Sequence, residues 1–256
     1  MPAEEYFAVD AVSNSALKEF ARSPWHYRNR VEKAPTAAML AGTLAHCAIL
    51  EPAAFADRYA VKPAGHDGRT KEGKAWAEAH AGREIISAEQ QATAEAQRAA
   101  VMAVPELAAL LADCYTETSV FWVDADTGLY CKARPDVVHT LPDGRAILAD
   151  LKTTADESPD GFARAVWNFG YFRQAAHYSK GYTAATGRDV AAFVFAAVSS
   201  AQPVLAVPYM LDDDAMQRGR DSCADLLRRM AECRATDEWP AYGSGVQVLT
   251  LPAWAK

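Results

Sequence analysis

The sequence predicts an α/β domain with a mixed central sheet flanked by helices, and three observations predict it. Alanine-rich amphipathic segments fill the N-terminal part, short β patterns separated by Gly-containing turns begin near Glu117, and helical patterns then return around the apolar segment VAAFVFAAVSS. Helices on both sides of a block of strands must bury their apolar stripes against a sheet. A chain of 256 residues with 50% hydrophobic content can bury a full-sized core. No repeat, low-complexity tract or linker divides it. The expected organisation is a single domain over 1–256, with a mainly helical part at 1–112, a sheet core at 113–210, and a long helix with an aromatic tail at 211–256.

In order along the chain, helices are expected near Ser15 to Arg22, Thr36 to Leu50, Thr70 to Ala81 and Ser87 to Met102, the last opened by a Ser87–Gln90 capping box. ETSVFWVD, LYCKARPDVVH and AILADLKTT then read as a three-stranded meander, with turns at Asp126-Thr127-Gly128 and LPDGR. Helices follow at Pro159 to Trp167 and Tyr171 to Ala185, then VAAFVFAAVSS and PVLAVPYM as strands. A helix from Asp212 to Cys233 carries Met216, Gly219, Cys223, Leu226, Met230 and Cys233 on one stripe, with acids opening it and arginines closing it. The aromatic, Pro-rich tail WPAYGSGVQVLTLPAWA is expected to pack on the body.

Composition narrows the function classes. The five cysteines are scattered with no C-x-x-C pair, which suggests neither a disulfide framework nor a zinc knuckle but reduced core residues. The N-terminus lacks the basic and apolar regions of a signal peptide, and no apolar run is long enough to span a membrane, so the expectation is a cytoplasmic protein with no membrane partner. A net charge of −7 argues against a protein that coats nucleic acid. Local basic clusters remain, at Arg22, Arg28, Arg30 and Lys33 and at Lys62, Arg69, Lys71 and Lys74. Taken alone they read as solvated surface.

The chemistry concentrates in RAILADLKTT, where Asp150 and Lys152 sit among apolar residues. If Pro142-Asp143-Gly144 form a three-residue loop, Leu141 opposes Arg145 and Asp136 falls opposite Asp150. A two-residue loop would shift the register by one and remove the alignment. Like charges directly opposed across strands repel and invite a cation, and Lys152 projects from the same face as Asp150. Two readings fit this spacing: a hard divalent cation held by Asp136 and Asp150, with Lys152 facing the nucleophile, or a salt bridge in which Lys152 neutralises an aspartate.

RPDVV followed by DLK resembles the P-D…(D/E)-x-K signature of the restriction-endonuclease-like nuclease superfamily. GTLAHCAILEP resembles the histidine helix of its RecB-like branch and YFRQAAHYSKGY its Q-x-x-x-Y helix. VSNSALKEFARSPWHYR, GRTKEGKAW and WPAY…LPAWA further resemble the RecE-type exonuclease domain, or exodeoxyribonuclease VIII. The resemblance implies a restriction-endonuclease-like fold in which Asp136, Asp150, the Leu151 carbonyl and His46 hold magnesium or manganese. Lys152 would serve the attacking water, while Gln174 and Tyr178, on one helix face, would hold a phosphate or support the ligands. Glu117 would be an accessory acid, or simply an exposed residue at a strand start. Arg28, Arg69, Lys71 and Lys74 would contact DNA. The implied activity is metal-dependent 5′ to 3′ degradation of double-stranded DNA from its ends, leaving 3′ overhangs for annealing recombination in a phage or prophage setting. A homotetrameric ring and a single-strand annealing protein are the implied assembly and partner. Alternatives are a structure- or sequence-specific endonuclease on the same fold, or a silent DNA- or partner-binding module.

Overall fold

The computed structural model describes residues 1–31 and 34–251. Lys33 of the first basic cluster and residues 252–255 of the aromatic tail lie outside the described residues.

The chain opens with helices α1 (Ala3–Ala8), α2 (Asn14–Arg22), α3 (Pro24–Arg28), α4 (Ala37–Leu50) and α5 (Pro52–Arg58). Strand β1 (Tyr59–Val61), helix α6 (Lys71–Ala79), strand β2 (Glu84–Ile86) and helices α7 (Ala88–Met102) and α8 (Pro105–Ala112) complete this part. The expected Ser87–Gln90 capping box is present in both of its hydrogen bonds. The small parallel pair β1–β2 was not expected. Its three-residue strands are too short to show a period of two.

Strands β3 (Cys114–Thr116), β4 (Val120–Val123), β5 (Tyr130–Ala133), β6 (Val137–Thr140) and β7 (Ala146–Thr154) follow, then helices α9 (Pro159–Phe169) and α10 (Tyr171–Thr186). Strands β8 (Val190–Ser199) and β9 (Ala206–Met210) and helix α11 (Asp213–Thr236) close the body. The central sheet runs β3-β6-β7-β8-β9, with β7 and β8 parallel and the other neighbours antiparallel.

The three-stranded meander is corrected. β4 pairs with β5 in a separate hairpin, while β6 pairs with β7 and with β3, a strand the sequence reading missed. Pro135 explains the break: with no N–H to donate, it ends the first half of LYCKARPDVVH and lets the chain change sheets. On the opposing segment Glu117, expected to open a strand, lies instead in the bend between β3 and β4 with φ of 51°.

The register inference holds. Gly144 takes φ of 87°, Leu141 N–H donates to the Arg145 carbonyl at 2.8 Å, and Val137 pairs with Ala149. Extending that pairing by one residue puts Asp136 opposite Asp150. The period of two then sorts the faces. Val138, Leu148, Phe193 and Phe195 join the core against α2, α10 and α11, whereas Val137, Ala149, Leu151 and Val194 pack under Ile49, Val101 and Leu107 of α4, α7 and α8. Asp136, Asp150 and Lys152 therefore belong to the α10 side.

All five cysteines are free, and all but Cys114 are buried. Among the described residues no helix is long and apolar enough to cross a membrane. Among the described residues the tail packs at its start: the Trp239 ring lies 5.8 Å from that of Tyr27, the Tyr242 ring lies 5.6 Å from that of His26, and the Trp25 amide donates to the Pro240 carbonyl. Farther on Val246, Val248 and Leu249 are exposed.

Helices α10 and α11 approach closely at Gly219, where an added Cβ would lie 2.2 Å from the Phe172 carbonyl oxygen. Gly219→Ala is expected to destabilise the fold by about 1 to 3 kcal/mol despite its better helix propensity, since overpacking forces the helices apart. Chemical denaturation of the purified variant checks this.

Candidate active site

Asp136 sits between Pro135 and the start of β6, with its carboxylate turned across the sheet toward β7. The Leu151 amide donates to Asp136 Oδ2 at 2.8 Å. That bond fixes the carboxylate one step beyond the last strand pair, beside Asp150. From the other layer α4 brings His46, whose Nε2 lies 3.0 Å from the Leu151 carbonyl oxygen. A carbonyl can only accept, so Nε2 carries a hydrogen. Nδ1 faces Asp136 Oδ2 at 3.5 Å. A metal cation beside them would meet both ligand atoms.

Glu117 supplies a further ligand atom. Its backbone amide donates to the Asp136 carbonyl at 3.0 Å, and Arg134 Nε donates to its carboxylate at 2.7 Å. The left-handed backbone of Glu117 is uncommon for a residue with a side chain and costs on the order of 1 kcal/mol. One ligand atom each from His46, Glu117 and Asp136 lie within 4.8 Å of one another. Nitrogen and carboxylate oxygens together suit magnesium or manganese.

Asp150 is 2% exposed and is held differently. Its Oδ1 accepts from Gln174 Nε2 of α10, and its Oδ2 contacts the Lys152 ammonium. That contact lacks hydrogen-bond geometry, so Oδ2 is a buried oxygen with no hydrogen bond. Lys152 Nζ also lies 4.7 Å from the centre of the Tyr171 ring. Gln174 and Tyr178 share one face of α10, as their spacing predicts.

Burial, then the neighbouring Asp150 charge, push the Asp136 carboxyl up to about 7. For Lys152 burial works to lower the pKa, but the attraction of Asp150 and then Asp136 outweighs it and raises the value, so the ammonium persists at neutral pH. Burial raises Tyr178 well above the ordinary phenol range, so it acts as a neutral hydroxyl. A carboxyl whose ionised form is disfavoured by burial and by Asp150, and a buried carboxylate oxygen without a hydrogen bond, are groups that a bound cation would satisfy. The residues present fit a divalent ion.

The sequence-derived set is thus brought together with one rearrangement. His46 and Asp136 group with Glu117, expected only as an accessory, whereas Asp150 is engaged by Lys152 and Gln174. The Leu151 carbonyl faces His46. The cleft over His46, Glu117 and Asp136 is also lined by Arg30, Lys132, Arg134 and Tyr178, but not by Arg28, Arg69, Lys71 or Lys74. Arg28 lies 3.9 Å from Asp237, and Arg69 pairs with Asp67. Lys71 and Lys74 are exposed on α6. Arg134 and Tyr171 were missed. The position of Arg134 next to Pro135-Asp136 was a usable signal; nothing in the sequence marks Tyr171. Buried Lys132 holds the end of α1 by donating to the Tyr6, Phe7 and Val9 carbonyls.

A family model for a PDDEXK-like domain of unknown function, DUF3799, matches residues 13–252. The chain belongs to this PDDEXK-like family. Pro135-Asp136 and Asp150-Leu151-Lys152, the segments that resemble the P-D…(D/E)-x-K signature, lie within the matched residues. The PDDEXK-like chain has no match among curated proteins. It is similar in fold to a solved structure from Eubacterium rectale whose name proposes an exonuclease, with a TM-score of 0.63 at 16% identity over 98% of this chain and 95% of that one. The solved structure of SSO0001 overlaps 44% of this chain and 50% of that one at 14% identity, with a TM-score of 0.28. The first likeness extends to the whole PDDEXK-like fold; the second carries no argument.

Proposed function

We propose that this PDDEXK-like protein is a metal-dependent deoxyribonuclease of the RecE type, a double-strand exonuclease that works 5′ to 3′ and leaves 3′ single-stranded overhangs. The observation that carries the reading is the grouping of His46, Glu117 and Asp136 in one cleft, with Asp136 tied to β7 through the Leu151 amide and Asp150 of that strand engaged by Lys152 and Gln174. The name given to the similar Eubacterium rectale protein supports it. Magnesium or manganese held by Asp136 with His46, Glu117 and, once freed from Lys152, Asp150 would supply Lewis acidity toward the scissile phosphate.

The chain's own residues do the rest. The Lys152 ammonium turns a proton donor toward the attacking water and the charge that develops on the phosphate. Gln174 fixes Asp150 through its amide, leaving the carboxylate only small freedom to exchange ammonium for cation. Arg134 holds Glu117, and Arg30 at the cleft's rim offers a cation to the DNA backbone.

End dependence follows from the RecE-type reading. Linear duplex should be consumed with early release of a 5′ label, and covalently closed circles should survive. Rapid nicking of the circles would replace the exonuclease with an endonuclease on the same fold, and cutting neither would leave a silent binding module. The reading also includes a homotetrameric ring that acts in the cytoplasm with a single-strand annealing protein. Enclosure would compensate for a net charge of −7, since contacts to phosphates weaken steeply with salt. Light scattering should give four chains per particle; a monomer that remains processive contradicts the ring.

A further inference from the structure

Cations gather in one place beside the candidate active site. Arg28 at the end of α3, Arg30 just beyond it and Arg234 in the last turn of α11 line one pocket of 390 Å³, together with Tyr27 and Trp239. Asp10 and Asp237 also line it, so the pocket sets three arginines against two aspartates. In a chain of net charge −7 that is a local reversal of sign.

Stacking orders two of the guanidiniums. The Arg30 guanidinium lies 4.3 Å from the centre of the Tyr27 ring, the Tyr27 ring 5.8 Å from that of Trp239, and the Arg28 guanidinium 5.5 Å from the centre of Trp239. Arg30 Nη1 also donates to the Tyr27 carbonyl at 2.7 Å, and Tyr27 is buried, so the row has a fixed base. A guanidinium held by its face keeps N–H donors on its edge for an acceptor, and holding it beforehand spares entropy that a loose arginine loses on binding. Asp237 does not claim Arg28: the two are 3.9 Å apart with both side chains mostly exposed, a pair worth little.

The pocket adjoins the cleft over the metal cluster. Asp10, Tyr27 and Arg30 line both, and the far part of that cleft holds His46, Glu117 and Asp136. A strand with its scissile phosphate at those residues has a continuous path past Arg30 to Arg28 and Arg234.

We propose that Arg28, Arg30 and Arg234, set in place by Tyr27 and Trp239, bind a backbone phosphate of DNA away from the scissile one and so hold the strand across the cleft. The choice of DNA as the ligand rests on the nuclease reading. Guanidinium edges match phosphate oxygens in pairs and read no base, so the site is sequence-tolerant. The start of the aromatic tail thereby gains a role, since the Arg28 guanidinium rests on Trp239.

Fluorescence anisotropy in chelator measures binding apart from cleavage. A labelled linear duplex is titrated at several salt concentrations with the wild type, with the Arg28→Gln, Arg234→Gln double variant, and with an Arg145→Gln, Arg188→Gln control. Arg145 and Arg188 precede the starts of the parallel strands β7 and β8, whereas Lys152 lies near the end of β7, so the control loses the same charge elsewhere. All four arginines are exposed, and melting curves verify that both variants fold. The double variant should bind about tenfold more weakly at low salt. Its plot of log affinity against log salt should be shallower by about one, the loss of one phosphate contact. The control should match the wild type. A double variant with wild-type affinity and slope, or a control that weakens equally, would overturn the site. A loss confined to the double variant, in a protein that cuts no DNA when metal is added, would support the site while ending the nuclease reading.

Discussion

Asp136→Asn is expected to abolish cleavage and, in the absence of metal, to raise the melting temperature. The carboxyl is pushed up to about 7 by burial and by Asp150, against an ordinary value of 3.8, so its ionised form is disfavoured in the folded state. Its folded value lies above its unfolded value; the contribution of this group to wild-type stability is thus full below about pH 4 and is lost as pH rises through 7. Asparagine removes that loss and keeps an oxygen for the Leu151 amide. The gain at pH 8 should be on the order of 2 kcal/mol, or several degrees, and should vanish toward pH 4. Manganese should stabilise the wild type more at pH 8 than at pH 6, because binding must displace a proton, and should do little for the variant. Melting curves across pH with and without manganese check all three points.

Lys152→Ala is expected to behave in the opposite way without metal. Removing the ammonium leaves Asp150, already short of a hydrogen bond on Oδ2, as an uncompensated buried charge, at a cost of about 3 kcal/mol. Manganese should restore most of the stability, since a cation takes over the neutralising role. Cleavage should not return with it. A group that serves the attacking water acts chiefly in the transition state, and its loss should lower the single-turnover rate about a thousandfold while metal binding persists. Near-normal cleavage per folded molecule would reduce Lys152 to a structural counter-ion.

These two variants separate what the sequence made legible from what it did not. The opposition of Asp136 to Asp150 was readable because a three-residue loop with Gly144 at its left-handed position sets the register, and register carries every residue along the strand with it. Gln174 and Tyr178 were readable because a helix fixes which residues share a face. The division of labour between the carboxylates was not readable. Glu117 enters the cluster only because the chain breaks at Pro135 on one segment and turns through a left-handed residue on the other, so that two elements expected in one sheet separate. Pro135 was visible in the sequence, yet a proline alone does not say which sheet the next strand joins. The contact of the Tyr171 ring with Lys152 joins α10 to β7, and a contact between separate elements leaves no trace in periodicity.

The central claim is that these buried carboxylates hold a divalent cation that serves phosphodiester cleavage. Single-turnover digestion of a linear duplex labelled at one 5′ end tests it most directly, using chelator-stripped wild type and Asp150→Asn with magnesium or manganese added back. The expected result is label release by the wild type only after metal addition, and none by Asp150→Asn beyond a trace in excess manganese. Cleavage that survives the chelator and is equal in the two proteins, or no cleavage by the wild type with either metal, would contradict it.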